Sequence, residues 1–437
     1  LSNQILKGDY NKILQYKYKD ISCGKFAFST SMRMLRVAKI NLKNASHKNC
    51  VLFNLRKSIQ YADAALKFVN ENDIRYVLFN DRGYCGEGEL YEVCIKSKIK
   101  CVQHIATYKN GVFLIKKFSK NNQHDHPSSI SDKDWINFEN KKIEKIQLEY
   151  LNKEIKDSYY NNTWYPSAGT MVGKDLKSTK DILKEIGINN NNKIAVIFPH
   201  IFWDGTFFYG KDLYDNYEEW YKQTLIIAEK NKNINWIIKS HPSNVVKNKQ
   251  DKISNKIIEP EEKIIYDLFN KLPDNFYYIN SNSNINTFYL LNILDFCVTV
   301  RGTVALETAM RNKIAITTGT GRYDNKNFTY NFIDKFKYQD TLSNLPNFNK
   351  TILNQKENAE KFAYSSLICK NFNPSNLNFY FEPNLYSTLK VNLIEKPLRD
   401  NKKLLNENVY LDWLKNESED FFLDPKGLWE FKSKKNY

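Results

Sequence analysis

The sequence lacks several features that would have fixed its class at once. No apolar run approaches the roughly 18–20 residues that a bilayer-crossing helix needs, and the start carries no signal-peptide pattern. Zinc-finger spacing, an RNA-reading aromatic motif and a helix-turn-helix are all missing, so nucleic acid is not expected as a partner. No GxGxxG or Walker pattern occurs, which argues against a dinucleotide or ATP site of those kinds. The seven cysteines (Cys23, Cys50, Cys85, Cys94, Cys101, Cys297, Cys369) are odd in number and follow no disulfide or metal-ligand spacing. Several lie in apolar runs such as "DFCVTV", where a reduced thiol behaves as a small hydrophobe. A reducing, cytoplasmic compartment is therefore the expectation. The sequence also shows no internal repeat.

Apolar and aromatic residues are plentiful. They make up 42% and 14% of the 437 residues, enough for two cores in a chain longer than one ordinary domain. The net charge is +16, spread along the chain with no arm or stripe. It reads as a solvated, codon-biased surface, as attraction to phosphorylated substrates, or as affinity for an anionic membrane surface at the inner face of the cell membrane. Those readings stay open. The asparagine run at 189–192 is taken as a solvated loop.

Between residues 193 and 318, short apolar segments alternate with helical ones. The strands are "KIAVIFPH", "INWIIKSHP", "FYYIN", "DFCVTV" and "KIAITTG", with helices near 217–231, 261–271, 285–293 and from 303 on. Short all-apolar strands between helices predict a parallel sheet covered on both faces, a doubly wound α/β domain. The first 165 residues are less regular, with helices at 56–70 and 88–97 and strands at 74–81, 99–105 and 111–117. That is fewer strands than a complete Rossmann-like domain carries. Because the chain opens at Leu1, a segment upstream is expected. Pro166, Gly169 and Gly173 mark 161–173 as a connection, and helical spacing recurs at 355–367 and 409–413. The expected division is an acceptor-side α/β domain at 1–165, a nucleotide-binding α/β domain at 174–345, and a C-terminal helical extension at 346–437.

In open parallel sheets ligands bind beyond the carboxyl ends of the strands, where the strand order reverses. The unusual residues of the second half fall at such ends: His200, Lys239 with His241-Pro242, Arg301-Gly302-Thr303 and Gly319-Thr320-Gly321-Arg322. Gly302 permits a tight strand-to-helix turn, and Thr303 is expected to cap the following helix and offer a phosphate seat, with Arg301 adding a forked donor. Glu307, one turn further on the same face, either accepts hydrogen bonds from sugar hydroxyls or is a solvated helix residue. Pro242 disfavours continuation of the strand, leaving His241 to meet a departing phosphate.

The loop "FPHIFWDGTFFYG" presents His200, Trp203, Asp204 and Gly205, with an aromatic face suited to a base or sugar. In the first half, "NDRGYCGEGEL" follows a strand and opens a helix, with Asp81 and Glu87 as candidate general bases facing an acceptor. "QHDHPSS" invites a metal reading for His124, Asp125 and His126, but no further ligands accompany them. Nor is there an Asp-x-Asp pair to chelate a nucleotide-bound ion, so neither a metal nor any other cofactor is expected.

The series "IIKSHPSN … NINTFYLLNILDFCVTVRGTVALETAMRNKIAITTGTGRY" resembles the second domain of bacterial capsule-polysaccharide glycosyltransferases, among them Kdo-transferase-like enzymes. "NDRGYCGEGELYEVCIKSKIKCVQHIATYKNGVFL" is similar in layout to their acceptor half. The resemblance implies a GT-B-like fold, two Rossmann-like domains facing across a cleft, usually without a bound metal. It implies His241, Arg301, Thr303 and Glu307 around a nucleotide-sugar donor, and the Asp81–Glu87 loop near a polysaccharide or lipid-linked glycan acceptor. A polyol-phosphate transferase of teichoic-acid type, or a non-catalytic glycan- or nucleotide-binding remnant, stands as the alternative.

Overall fold

The computed structural model describes residues 10–106, 112–160, 178–204, 207–241, 244, 258–372, 377–381, 389–393 and 409–422. The expected connection at 161–173, Gly205 and Pro242 lie outside the described residues. The chain is α/β throughout, with two sheet-bearing units.

The first unit opens with helices α1 (Tyr10–Leu14), α2 (Cys23–Leu35) and α3 (Ala45–Glu71). Asn44 starts α3 by accepting hydrogen bonds from the amides of Ser46 and His47, which would otherwise lack partners. Phe26, Phe28 and Met32 of α2 meet Val51 and Leu55 of α3 in a buried cluster. Then come β1 (Tyr76–Phe79), α4 (Glu87–Lys96), β2 (Lys100–Ala106) and β3 (Phe113–Phe118), followed by α5 (Asp132–Glu139) and α6 (Lys145–Tyr160). β1 and β2 run parallel, while β2 and β3 run antiparallel.

The second unit contains α7 (Thr179–Ile186), β4 (Lys193–Ile197), α8 (Tyr217–Lys230), β5 (Ile234–Lys239), α9 (Pro260–Phe269) and β6 (Phe276–Ile279). It continues with α10 (Thr287–Ile293), β7 (Phe296–Thr299), α11 (Thr303–Ala309), β8 (Ile314–Thr317), β9 (Tyr330–Asn331) and α12 (Lys335–Ser343). Its six strands lie in the order β6-β5-β4-β7-β8-β9, every neighbouring pair parallel. Alternation along the strands feeds two cores. Ala195, Ile197, Trp236, Ile238, Phe296 and Val298 pack on one face, and Ile194, Val196, Ile237 and Cys297 on the other. Burial on both faces is why these strands read as continuous apolar runs.

The chain then returns to the first unit. α13 (Gln355–Ala363) runs into a π-helical turn at Tyr364–Cys369, and β10 (Asn371–Phe372) adds to β3 as the fourth strand of the first sheet. β11 (Leu377–Phe381) and β12 (Leu389–Leu393) form an antiparallel pair, and α14 (Val409–Lys415) follows. The segment expected as a helical extension therefore also supplies strands. Phe362 and Tyr364 share a core with Trp135 and Phe138 of α5 and with Ala305, Leu306 and Ala309 of α11, which joins the two units. Asp420 is buried against Lys116 of β3 and against Lys370. Its carboxylate also accepts from the Ser131 amide at 2.7 Å. Among the described residues no helix is long and apolar enough to cross a membrane.

Candidate functional site

Strand order reverses between β4 and β7, the first and fourth strands of the second sheet. The crossovers leave these strands in opposite directions and open a crevice beyond their carboxyl ends. His200 follows β4 and Arg301 follows β7. The Arg301 amide donates to His200 Nε2 at 3.1 Å, so the imidazole carries its proton on Nδ1. Burial, with the charges of Arg301, His241 and Arg322 nearby, pushes the His200 pKa far below its ordinary value. The ring stacks on Tyr217, centroids 4.7 Å apart. His200 is thus a neutral brace at the crevice.

Arg301 is buried, with its side chain 4% exposed. One nitrogen pairs with Asp212 and the Tyr217 hydroxyl lies beside the group, while Nε and Nη1 have no partner in good hydrogen-bond geometry. A buried charged group left this way costs about 1–3 kcal/mol or more, and such exceptions call for an explanation. Gly319, after β8, lies directly against it: a Cβ there would sit 2.8 Å from Nε and 2.7 Å from Val300 Cγ1. Arg322 donates to the Arg301 carbonyl at 3.1 Å, and Tyr323 to the Gly302 carbonyl at 2.7 Å. Thr303 is not the helix cap, contrary to expectation. Gly302 occupies that position in extended backbone, leaving no side-chain cap, and Thr303 is the first residue of the seven-residue α11. Glu307 is half-buried one turn along α11.

His241 follows β5 by two residues, half-buried, and its carbonyl accepts from the Asn244 amide at 3.0 Å. Glu261, 2% exposed, accepts from Asn244 Nδ2 at 3.0 and 3.1 Å. Burial, reinforced by the neighbouring Glu259 charge, raises its pKa to about 6. Lys239 is buried, and its ammonium donates to the Asn280 carbonyl at 3.1 Å. This contact ties β5 to the end of β6. The structure thus gathers His200, His241, Arg301, Gly302 and Gly319 at neighbouring strand ends.

Across from them stands the first-unit loop. Asp81 Oδ1 accepts from the Arg82 and Gly83 amides at 2.6 and 2.9 Å, and from Tyr209 Oη of the second unit at 2.8 Å. Glu87 is exposed, and its Oε2 accepts from the Asn80 and Asp81 amides, both at 2.9 Å. Arg82 is buried against the Gln123 and Asp125 carbonyls and over the Phe118 ring. Tyr84 Oη donates to Asp204 at 2.9 Å.

Aromatics of the 198–210 loop, suited in sequence to a base or sugar, are engaged by the first unit. Phe208 stacks on Phe26 at 4.6 Å and 6°, and Trp203 and Phe207 pack against the same first-unit cluster. The His-Asp-His stretch is folded in as well. The His126 amide donates to the Gly321 carbonyl at 2.7 Å, and His126 Nδ1 lies 2.7 Å from Ser128 Oγ. Among the described residues no group of three or more His, Cys, Asp or Glu side chains is placed to hold a metal ion. Sequence reasoning missed Tyr209, Asp212 and Tyr217. They sit in a loop and a helix start whose importance comes only from what the fold sets beside them.

No family model matches this chain, and no curated protein matches it. Solved structures do resemble it. KpsC of Thermosulfurimonas dismutans, a beta Kdo 2,4 transferase, is 12% identical with a TM-score of 0.36, over 73% of this chain and 84% of that one. The UDP-GlcNAc 2-epimerase of Neisseria meningitidis bound to UDP-GlcNAc is 13% identical with a TM-score of 0.29, over 84% and 82%. The wall teichoic acid polymerase TagF is 11% identical with a TM-score of 0.27, over 70% and 79%.

Proposed function

We propose that this chain is a GT-B-type glycosyltransferase that moves a sugar from a nucleotide-activated donor to a growing surface polysaccharide of capsule type or a lipid-linked glycan. The observation that carries the reading is the Arg301 guanidinium, buried at the switch point with two nitrogens unpartnered. A forked cation at a parallel-sheet crevice suits the phosphate of a nucleotide. His241, at the next strand end, is the group to neutralise charge on the leaving phosphate, and Arg322 reinforces the field from the Arg301 carbonyl side. Gly302 and Thr303 bring backbone amides to the same place, and Glu307 is assigned to a donor hydroxyl. On the facing side, Asp81 and Glu87 are the candidate bases for an acceptor hydroxyl. Asp81 is favoured because Tyr209 ties it to the donor side.

In this reading leaving-group charge is handled by protein cations, so turnover persists in excess EDTA. The free cysteines agree with a cytoplasmic setting, and the basic surface would hold the protein to anionic bilayers where a lipid-linked acceptor resides. Turnover assayed against nucleotide sugars and against CDP-glycerol and CDP-ribitol tests the proposal. Activity with the polyol donors alone would replace a sugar transferase by a polyol-phosphate transferase.

A further inference from the structure

The arginine at the switch point is held by a carboxylate that no sequence motif announces. Asp212 pairs with Arg301, the two side chains 11% and 4% exposed. The backbone fixes Asp212 in turn. It bridges to Gly319, with the Lys211 carbonyl accepting from the Thr320 amide at 2.9 Å and the Leu213 amide donating to the Thr318 carbonyl at 3.0 Å. Gly210, at φ +85, lies so close that a Cβ would sit 2.0 Å from the Thr320 carbonyl oxygen. Three residues before Asp212, Tyr209 donates to Asp81 of the first unit.

We propose that Asp212 is the positioning residue of Arg301, and that Tyr209 links this pair to the acceptor-side loop carrying Asp81. A guanidinium is planar, so fixing one corner fixes the directions of its remaining donors. Asp212 holds one nitrogen and Gly319 closes against Nε, which sets where Nη1 points. Without the carboxylate the arginine regains rotamer freedom, and an arriving anion has to order it again. The proposal rests on the donor-site reading above.

Calorimetry with CMP, CDP, UDP, GDP and dTDP is run on the wild type, Asp212→Asn, Arg301→Ala and the double variant, alongside crystal structures of the wild type and Asp212→Asn. Asp212→Asn should weaken the best-bound nucleotide about ten- to a hundredfold. The double variant should bind no more weakly than Arg301→Ala alone, because the two residues act as one unit. Tyr209→Phe should give a smaller loss, about threefold, again absent in the Arg301→Ala background. Multiplying losses in the double variant would overturn the proposal, since Asp212 would then act independently of Arg301. So would an Arg301 side chain unmoved in the Asp212→Asn crystal structure. Should the wild type bind none of the nucleotides, the donor reading falls. The crystal comparison still decides the positioning role, a displaced Arg301 supporting it and an unmoved one ending it. If Asp212→Asn does not fold, Asp212→Glu, which keeps the charge, takes its place in both measurements, with a shifted Arg301 and a coupled loss expected.

Discussion

The two larger sheets are assembled from the chain in opposite ways. The second sheet takes all six strands from residues 193–331, and every crossover except β6 to β7 closes onto the adjacent strand. The first sheet borrows β10 from the far side of the second unit, and its strand β3 is pinned by Asp420, 304 residues beyond Lys116. One unit is self-contained, and the other is completed only when the chain comes back. Damage to the returning segment should therefore fall on the first unit's stability. Damage at the switch point should fall on ligand chemistry and leave the fold standing.

The largest expected effect tests the first half of that contrast. Asp420→Ala takes the shared carboxylate from the Lys116 and Lys370 ammonium groups, both fully buried, and should cost about 3–5 kcal/mol in urea unfolding. A loss under about 1 kcal/mol would mean the returning segment is an appendage. Next, Arg301→Ala should remove roughly 2–4 kcal/mol of transition-state stabilisation while its cost in urea unfolding stays below that of Asp420→Ala, because losing the Asp212 pair is offset by losing two unpartnered buried donors, which is the opposite signature.

Gly319→Ala should fall between the two patterns. Its methyl would press on Arg301 and Val300, costing about 1–3 kcal/mol of stability together with turnover. Unchanged turnover would show that Arg301 tolerates displacement. The smallest effect is the share of the pH dependence that Glu261 of the second unit contributes. The Glu261 pKa is raised from 4.5 to about 6 in the folded protein, so the folded state keeps a proton that the unfolded chain has lost. That contribution is fully present below about pH 4.5 and declines as pH rises through about 6, by about 1–2 kcal/mol. Urea titrations at pH 4.5, 5.5 and 7 should show a decline that is shallower in Glu261→Gln than in the wild type, the remainder including Asp125, whose burial also raises its pKa to about 6.

The same contrast governs what could be read from the sequence. Every strand from β4 to β8 was legible, because strands buried on both faces are apolar at each position and the helices between them are short and punctuated. The switch-point residues were legible for the same reason, since a strand end is a local feature. α2 escaped notice because "CGKFAFSTSMRML" mixes aromatics with serine and threonine and has no side-chain cap at Ser22. β10 is two residues long and exists only through its partner β3. Asp212 and Tyr209 gain their meaning from Arg301 and Asp81, 89 and 128 residues away, a pairing that no local pattern encodes. The loop aromatics were legible as special, but their partner turned out to be Phe26 of the other unit.

The central claim is that the Arg301 crevice seats the phosphate of an activated sugar. Its most direct test is release of free nucleotide by the full chain from CMP-, UDP-, GDP- and dTDP-sugars in the presence of a glycan acceptor pool, with Arg301→Ala as the control. The account predicts release from one class of nucleotide sugar, undiminished by EDTA and reduced about thirtyfold or more in Arg301→Ala. Release from none of them, or equal release by the wild type and Arg301→Ala, would contradict it.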